Sequence, residues 1–247
     1  MIIYGKTDVG KRRDNNQDSF TIRHIGVLTV GIVCDGMGGA NGGNVASALA
    51  ANTFADLLAA SLGTVGHERS DEELDTLLES ALAAANAAVY ERAAADKTLS
   101  GMGTTLCAVL TDGSRIHAVN VGDSRLYCFT AGGIVQISHD HSFVQALVDS
   151  GSITPEEARC HPNKNIITRA VGTAETVEGD FFDMAFPGQA LLLCSDGLTN
   201  YVEDDRLYEL FAAEPNVESL VDTYIDEANA NGGGDNITAL VIRRDEE

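Results

Sequence analysis

Positive charge is scarce in this sequence: 16 Lys and Arg stand against 37 Asp and Glu, for a formal charge of −21. A surface so acidic repels nucleic acid and anionic membranes, and neither is expected as a partner. Long apolar runs are also missing. No stretch reaches the roughly eighteen uninterrupted apolar residues of a membrane span, and the start MIIYGKTDVGKRRD lacks the basic-then-apolar order of a secretory signal. A cytoplasmic location is expected. The five cysteines (Cys34, Cys107, Cys128, Cys160 and Cys194) are odd in number, widely spaced and without a CxxC pair, which argues against a disulfide framework and a structural zinc site. None is followed six residues later by arginine, and GxSxG and HExxH are absent, so cysteine-dependent phosphatase, serine-elbow and zincin chemistries drop out. There is no repeat and no low-complexity linker; 247 residues, 44% of them hydrophobic, fit one domain over 1–247.

What is present alternates between helical and strand-like patterns. An alanine-rich region reads as two helices, the first over about Gly43 to Ser61. The second places Leu74, Leu77, Leu78, Ala81, Leu82, Ala85 and Val89 at helical spacing behind a Ser70, Glu73 capping box. Strand-like runs cover Gly26–Cys34, Thr104–Leu110, Arg115–Val121, Arg125–Thr130, Ile134–Ser138, Ala190–Cys194 and Ile237–Arg243. The joints TDGS (111–114), GDS (122–124) and AGG (131–133) look like hairpin turns, which implies antiparallel pairing. Two more helices, about Glu203–Ala213 and Val217–Ala230, precede the last strand. This order predicts an α+β fold of antiparallel sheets covered by helices, with an excursion at about 139–172.

Asp18, Asp35, Asp123, Asp196 and Asp235 share a local grammar: each abuts a strand-like run, and four lie in glycine-containing turns such as IVCDGMGG and LLLCSDGL. One Asp-Gly pair alone reads as a surface turn. Five carboxylates converging at strand ends would repel one another unless a cation neutralised them. The ligand atoms are all oxygen, which suits Mg²⁺ or Mn²⁺; calcium is disfavoured by the lack of an EF-hand loop. Arg13, in the compact basic cluster Lys11–Arg12–Arg13 and five residues before Asp18, offers a planar fork for phosphoryl oxygens.

The segments RDNNQD (13–18), DGMGG (35–39), GMGTT (101–105), VGDSR (121–125), SDGL (195–198) and GGDNIT (233–238) follow one another in the order and approximate spacing of bacterial metal-dependent serine/threonine protein phosphatases of the PP2C class, which the chain resembles over nearly its whole length. The resemblance implies a sandwich of two antiparallel sheets flanked by helices on both sides, and a flap over 139–172. It implies a binuclear Mn²⁺ or Mg²⁺ centre bridged by Asp35, with the Gly36 carbonyl on one metal, Asp196 and Asp235 on the other, and Asp18 acting through metal-bound water. Asp123 with Asp196 would form a third, weaker site, Arg13 would hold the phosphate, and Asn236 would buttress Asp235. The reaction implied is attack of an activated water on phosphoserine or phosphothreonine, and the partners implied are phosphoproteins opposed to a cognate kinase, met by a monomer.

Two positions depart from the bacterial pattern: Ala40 stands where His is common and Asn44 where Glu is frequent, so a histidine general acid at position 40 is missing. Metal-bound water, His141 or His161 could donate that proton, although both histidines read more simply as structural or surface residues. Cys34, Cys194, Met102 and Thr104 read as packing. The alternatives are a metal-dependent phosphohydrolase of small phosphate esters and a non-catalytic module that binds phosphoproteins.

Overall fold

The structure is a computed structural model that describes residues 1–63 and 69–244. In chain order the strands are β1 (Ile2–Asp8), β2 (Asp18–Ile25), β3 (Leu28–Met37), β4 (Gly103–Thr104), β5 (Leu106–Thr111), β6 (Arg115–Val121), β7 (Arg125–Thr130), β8 (Gly133–Gln136), β9 (Asp180–Ala185), β10 (Ala190–Cys194) and β11 (Ile237–Arg243). The helices are α1 (Gly39–Leu62), α2 (Asp71–Ala95), α3 (Phe143–Asp149), α4 (Pro155–Arg159), α5 (Asp196–Thr199), α6 (Asp204–Ala213) and α7 (Val217–Ala230). One sheet runs β1-β11-β10-β7-β8 and the other β2-β3-β5-β6-β9, with β4 paired to β3. Every strand pairing is antiparallel.

Three apolar layers hold the sandwich together. Between the sheets lie Val33, Cys107, Val109, Leu191, Leu193, Leu240 and their neighbours. Outside the second sheet, Ile32, Leu106 and Val119 pack under α1 and α2; outside the first, Leu192, Ala239 and Val241 pack under α6 and α7. The α+β expectation and the two-sided helical cover are therefore met. Central strands such as β5 and β10 are buried along their whole length, because each sheet is covered on both faces.

The predicted capping box is present: the Glu73 amide donates to Ser70 Oγ, and the Ser70 amide donates to the Glu73 carboxylate at 2.9 Å. All seven predicted apolar positions of α2 are buried. α1 begins at Gly39, earlier than expected, because the glycine string itself forms its first turn. The stretch Gly42–Leu62 is long and apolar enough to cross a membrane by length and composition. Here it is a core helix, with Ala46, Ala50, Phe54 and Leu58 fully buried.

Two joints read as hairpins are hairpins, β5–β6 and β7–β8. The third is not: β6 and β7 lie in different sheets, so the GDS turn carries the chain across the sandwich. Gly122 takes φ +102° in this turn, a shape that glycine adopts without strain. Strands β1, β2 and β9 escaped the reading because they are edge strands whose outer residues are polar or half-exposed.

Candidate active site

The site lies at one end of the sandwich, where both sheets release their strands. Asp18 and Asp35 are direct cross-strand partners on β2 and β3. Asp196 opens α5 immediately after β10, Asp235 precedes β11, and Asp123 sits in the crossing turn between β6 and β7. Like charges placed opposite one another on a sheet destabilise it, so this register is a cost that the fold accepts here.

Close backbone packing draws the pieces together. A Cβ on Gly36 would stand 2.0 Å from the Gly43 carbonyl oxygen, and one on Gly43 would stand 2.5 Å from the Gly36 oxygen. The end of β3 and the first turns of α1 thus touch backbone to backbone, and any side chain at 43 would press on the Gly36 carbonyl. Similarly, a Cβ on Gly197 would fall 1.8 Å from the Asn236 carbonyl oxygen, so α5 can bring Asp196 beside the Asp235–Asn236 corner only through glycine.

Removed from water, the carboxylates resist ionisation. Burial, the largest influence, lifts Asp18 to about 6, and the charges of Asp196 and Asp235 push the same way against the hydrogen bonds from Ser195 and Thr238. Burial raises Asp35 well above the ordinary range, helped by Asp18, Asp196, Asp123 and Asp235. Asp123 is raised strongly by burial and then by Asp196, and Asp196 by burial and then by Asp235. Asp35 thus stands where the charges of the other four predicted aspartates meet.

Arg13 reaches the same cluster. Its Nη2 donates to Asp235 Oδ2 at 2.8 Å, and this bond, followed by the charges of Asp235, Asp35 and Asp196, raises its pKa. The guanidinium remains half-exposed, with a side-chain accessibility of 51%, so its other donors face solvent at the rim.

Sequence reading takes Thr104 as buried support but misses Ser195, Thr105 and Thr238, whose hydroxyls also fix Asp18 and the Asp35 backbone. Ser195 Oγ and Thr238 Oγ1 donate to Asp18 Oδ2 at 2.6 and 2.7 Å. Thr105 Oγ1 accepts from the Asp35 amide at 2.8 Å, and Thr104 Oγ1 donates to the Asp35 carbonyl at 2.9 Å. The signal was available in part, since each lies within a quoted segment: GMGTT, SDGL and GGDNIT. Asn236 does more than buttress. Its amide donates to Asp235 Oδ1, while its side chain donates to the Val9 and Asn15 carbonyls and accepts from the Gln17 amide, fixing the loop that carries Arg13 and Asp18.

The excursion meets the site at two places. Lys164 Nζ donates to Asn200 Oδ1, whose Nδ2 donates to Asp196 Oδ2, each at 2.9 Å. His141 exchanges bonds with Gly122: its amide donates to the Gly122 carbonyl, and its Nδ1 accepts from the Gly122 amide at 3.1 Å. Its Nε2 lies 3.1 Å from Asp180 Oδ2. His141 is a buried structural residue, and His161 accepts from the Asn163 amide within its own loop. A cleft of about 250 Å³ opens between the excursion and the site, with Asp123, Asp196 and Asn200 on one wall and Val144, Ala158 and Lys164 on the other. Cys34 and Cys194 are buried and burial drives their thiols far upward, so they pack rather than attack.

The donor set fits divalent cations. Asp18 Oδ1 and Asp196 Oδ1 are buried and accept no hydrogen bond from any described residue, amid carboxylates that raise one another's pKa. Hard cations with oxygen ligands relieve both defects. A separate group, Asp75, His117 and Asp183, has ligand atoms within 4.8 Å of one another. There the Arg115 guanidinium already bonds Asp183 and lies 3.2 Å from Asp71, supplying the positive charge itself.

A sandwich with an acidic, arginine-edged cluster at one end defines a class of metal-dependent hydrolase folds, and comparison with known proteins specifies which. Residues 9–236 match the family described as protein phosphatase 2C, and the chain belongs to that family. It is 37% identical over 242 residues to a serine/threonine phosphatase, stp, of Listeria monocytogenes, covering 97% of this chain and 94% of that protein. It is 37% identical over 236 residues to the serine/threonine protein phosphatase PstP of Mycobacterium tuberculosis, covering 96% of this chain and 43% of that longer protein. Among solved structures, Stp1 of Staphylococcus aureus superposes with a TM-score of 0.90 at 34% identity, over 99% of this chain and 95% of that one. The catalytic domain of PstP in complex with two manganese ions gives 0.84 at 35% identity, over 97% and 96%.

Proposed function

We propose that this chain is a protein serine/threonine phosphatase that hydrolyses phosphoserine and phosphothreonine with two Mn²⁺ or Mg²⁺ ions held by Asp35, Asp196, Asp235 and the Gly36 carbonyl. Asp123 with Asp196 offers a third position. The observation that carries this reading is the cluster of four desolvated aspartates, Asp18, Asp35, Asp123 and Asp196, from separate strand ends, completed by Asp235 and edged by Arg13. The printed activities of the relatives and the two manganese ions of the PstP structure support it.

When bound, the metals supply a water activated near neutral pH and positive charge for the phosphoryl oxygens. Arg13 binds those oxygens through the donors it does not give to Asp235, and so orients the phosphorus toward the acids. Asp18, held by Ser195 and Thr238, keeps its Oδ1 free to take or return a proton inside the site. Asn236 fixes the Arg13–Asp18 loop, and the flap at 139–172 walls the cleft against solvent. The chain acts as one domain and a monomer in the cytoplasm, on phosphoproteins made by a cognate kinase.

Purified protein is expected to hydrolyse p-nitrophenyl phosphate and phosphothreonine peptides with Mn²⁺, and to lose both activities with EDTA or in Asp35→Asn and Asp196→Asn. Calorimetric Mn²⁺ binding should fall in parallel. Turnover of the small ester alone would point to a small-molecule phosphohydrolase; phosphopeptide binding without turnover would point to a non-catalytic module.

A further inference from the structure

A second cavity lies outside this site. It is a groove of about 530 Å³ between the flank of α2 and the start of β9, a volume within the usual range for ligand sites. It exists because β9 is the last strand of its sheet and α2 lies chiefly over the strand before it. Phe182 and Met184 turn inward to the layer between the sheets, so Phe181 faces the helix side, where it is 37% exposed. Val177 and Phe181 provide apolar surface, and Glu79, Glu175 and Glu178 form the rim. None of these three glutamates is ion-paired to a described Lys or Arg. The one cation lining the groove, Arg169, is already paired with Asp180 at 3.0 Å.

Apolar surface, three uncompensated carboxylates and an unpaired strand edge select a specific kind of occupant. We infer that this groove docks an extended, Lys- or Arg-bearing segment of the phosphoprotein substrate, lying along β9. Strand addition supplies main-chain bonds, alternate side chains reach Phe181 and Val177, and the basic ones meet the glutamates. The inference rests on the phosphatase reading and deepens it by giving substrate choice a second point of attachment. The groove joins the catalytic end through the Asp180–Arg169–His141 contacts and the His141–Gly122 exchange beside Asp123. Docking beside that chain of contacts raises the local concentration of the phosphorylated residue at the aspartates.

The test uses phosphothreonine peptides with one phosphosite, a flexible spacer, and a tail alternating valine with either lysine or glutamate. The lysine tail should give kcat/KM about tenfold higher, through KM. Glu175→Lys with Glu178→Lys should erase the difference and leave p-nitrophenyl phosphate turnover unchanged. Phe181→Ala should erase part of it. Glu218→Lys with Asp226→Lys, an equal charge change on the exposed face of α7, should preserve it. Equal rates for the two tails in the unaltered chain would overturn the inference, and loss of the difference in both double variants would overturn it in favour of a general field effect. Self-association abolished by the Glu175, Glu178 reversal would assign the groove to a second copy and also overturn it. Failure of the phosphatase reading looks different: no phosphopeptide, whatever its tail, would then be turned over.

Discussion

At the scale of single residues, the site holds buried acids that destabilise the fold when ionised. Asp18 has a folded pKa of about 6 against an ordinary 3.8, so the folded chain binds its proton more tightly than the unfolded one. The sign follows: stability from this group is present below pH 3.8 and lost as pH rises to about 6. Without metal, Asp18→Asn should therefore raise the melting temperature at pH 7 by several degrees, about 1–3 kcal/mol, with the gain vanishing near pH 4. Asparagine can still accept the Ser195 and Thr238 hydroxyls, and the variant should have lost turnover. Equal melting temperatures at pH 7 would contradict the strained-carboxylate reading. At the rim, Arg13→Ala should raise KM for phosphopeptides severalfold and lower kcat less, since it removes a contact made to the ground state. An unchanged KM would remove Arg13 from phosphate binding.

At the scale of elements, the glycines act through backbone contact rather than turn shape alone. Gly36→Ala should cost about 1–3 kcal/mol, as overpacking does, because its methyl group meets the Gly43 carbonyl and must displace α1 from β3. Chemical denaturation measures that cost, and weakened Mn²⁺ binding should accompany it because the Gly36 carbonyl moves too. Asn86 joins α2 to the segment behind the flap: it accepts from the Gly172 amide at 2.7 Å and donates to the Ala174 and Glu175 carbonyls at 3.0 Å. Asn86→Ala leaves the buried Gly172 amide without its acceptor, while the Ala174 and Glu175 carbonyls lie on exposed residues, and should cost about 1–3 kcal/mol. Faster amide exchange at Gly172 in the variant would locate the loss.

At the scale of the whole molecule, charge and metal binding act together. A chain at −21 with five acids gathered at one site should gain stability from divalent cations beyond ordinary screening. Mn²⁺ at a hundredfold excess over its dissociation constant should add about 2.7 kcal/mol per site, read as a rise in melting temperature reversed by EDTA. Monovalent salt of equal ionic strength should give a smaller rise, and Asp35→Asn with Asp196→Asn should remove the difference between the two. Equal effects of Mn²⁺ and monovalent salt on the unaltered chain would leave only screening.

The four long helices, the buried strands and the five acids were legible from the residues alone, because periodicity, capping residues and Asp-Gly punctuation are local properties written in a few neighbouring residues. Resemblance extended this to the sandwich and to a role for each acid. Only the tertiary structure decided that Asp18 opposes Asp35, that the GDS turn crosses between sheets, that Gly36 and Gly43 meet, and that Ser195 and Thr238 hold Asp18. Each of these is a contact between residues far apart in the chain, fixed by how two sheets and their helices fill space. The groove beside β9 belongs with them: Phe181 is exposed and Glu175 unpaired only because the sheet ends there and α2 lies over the neighbouring strand.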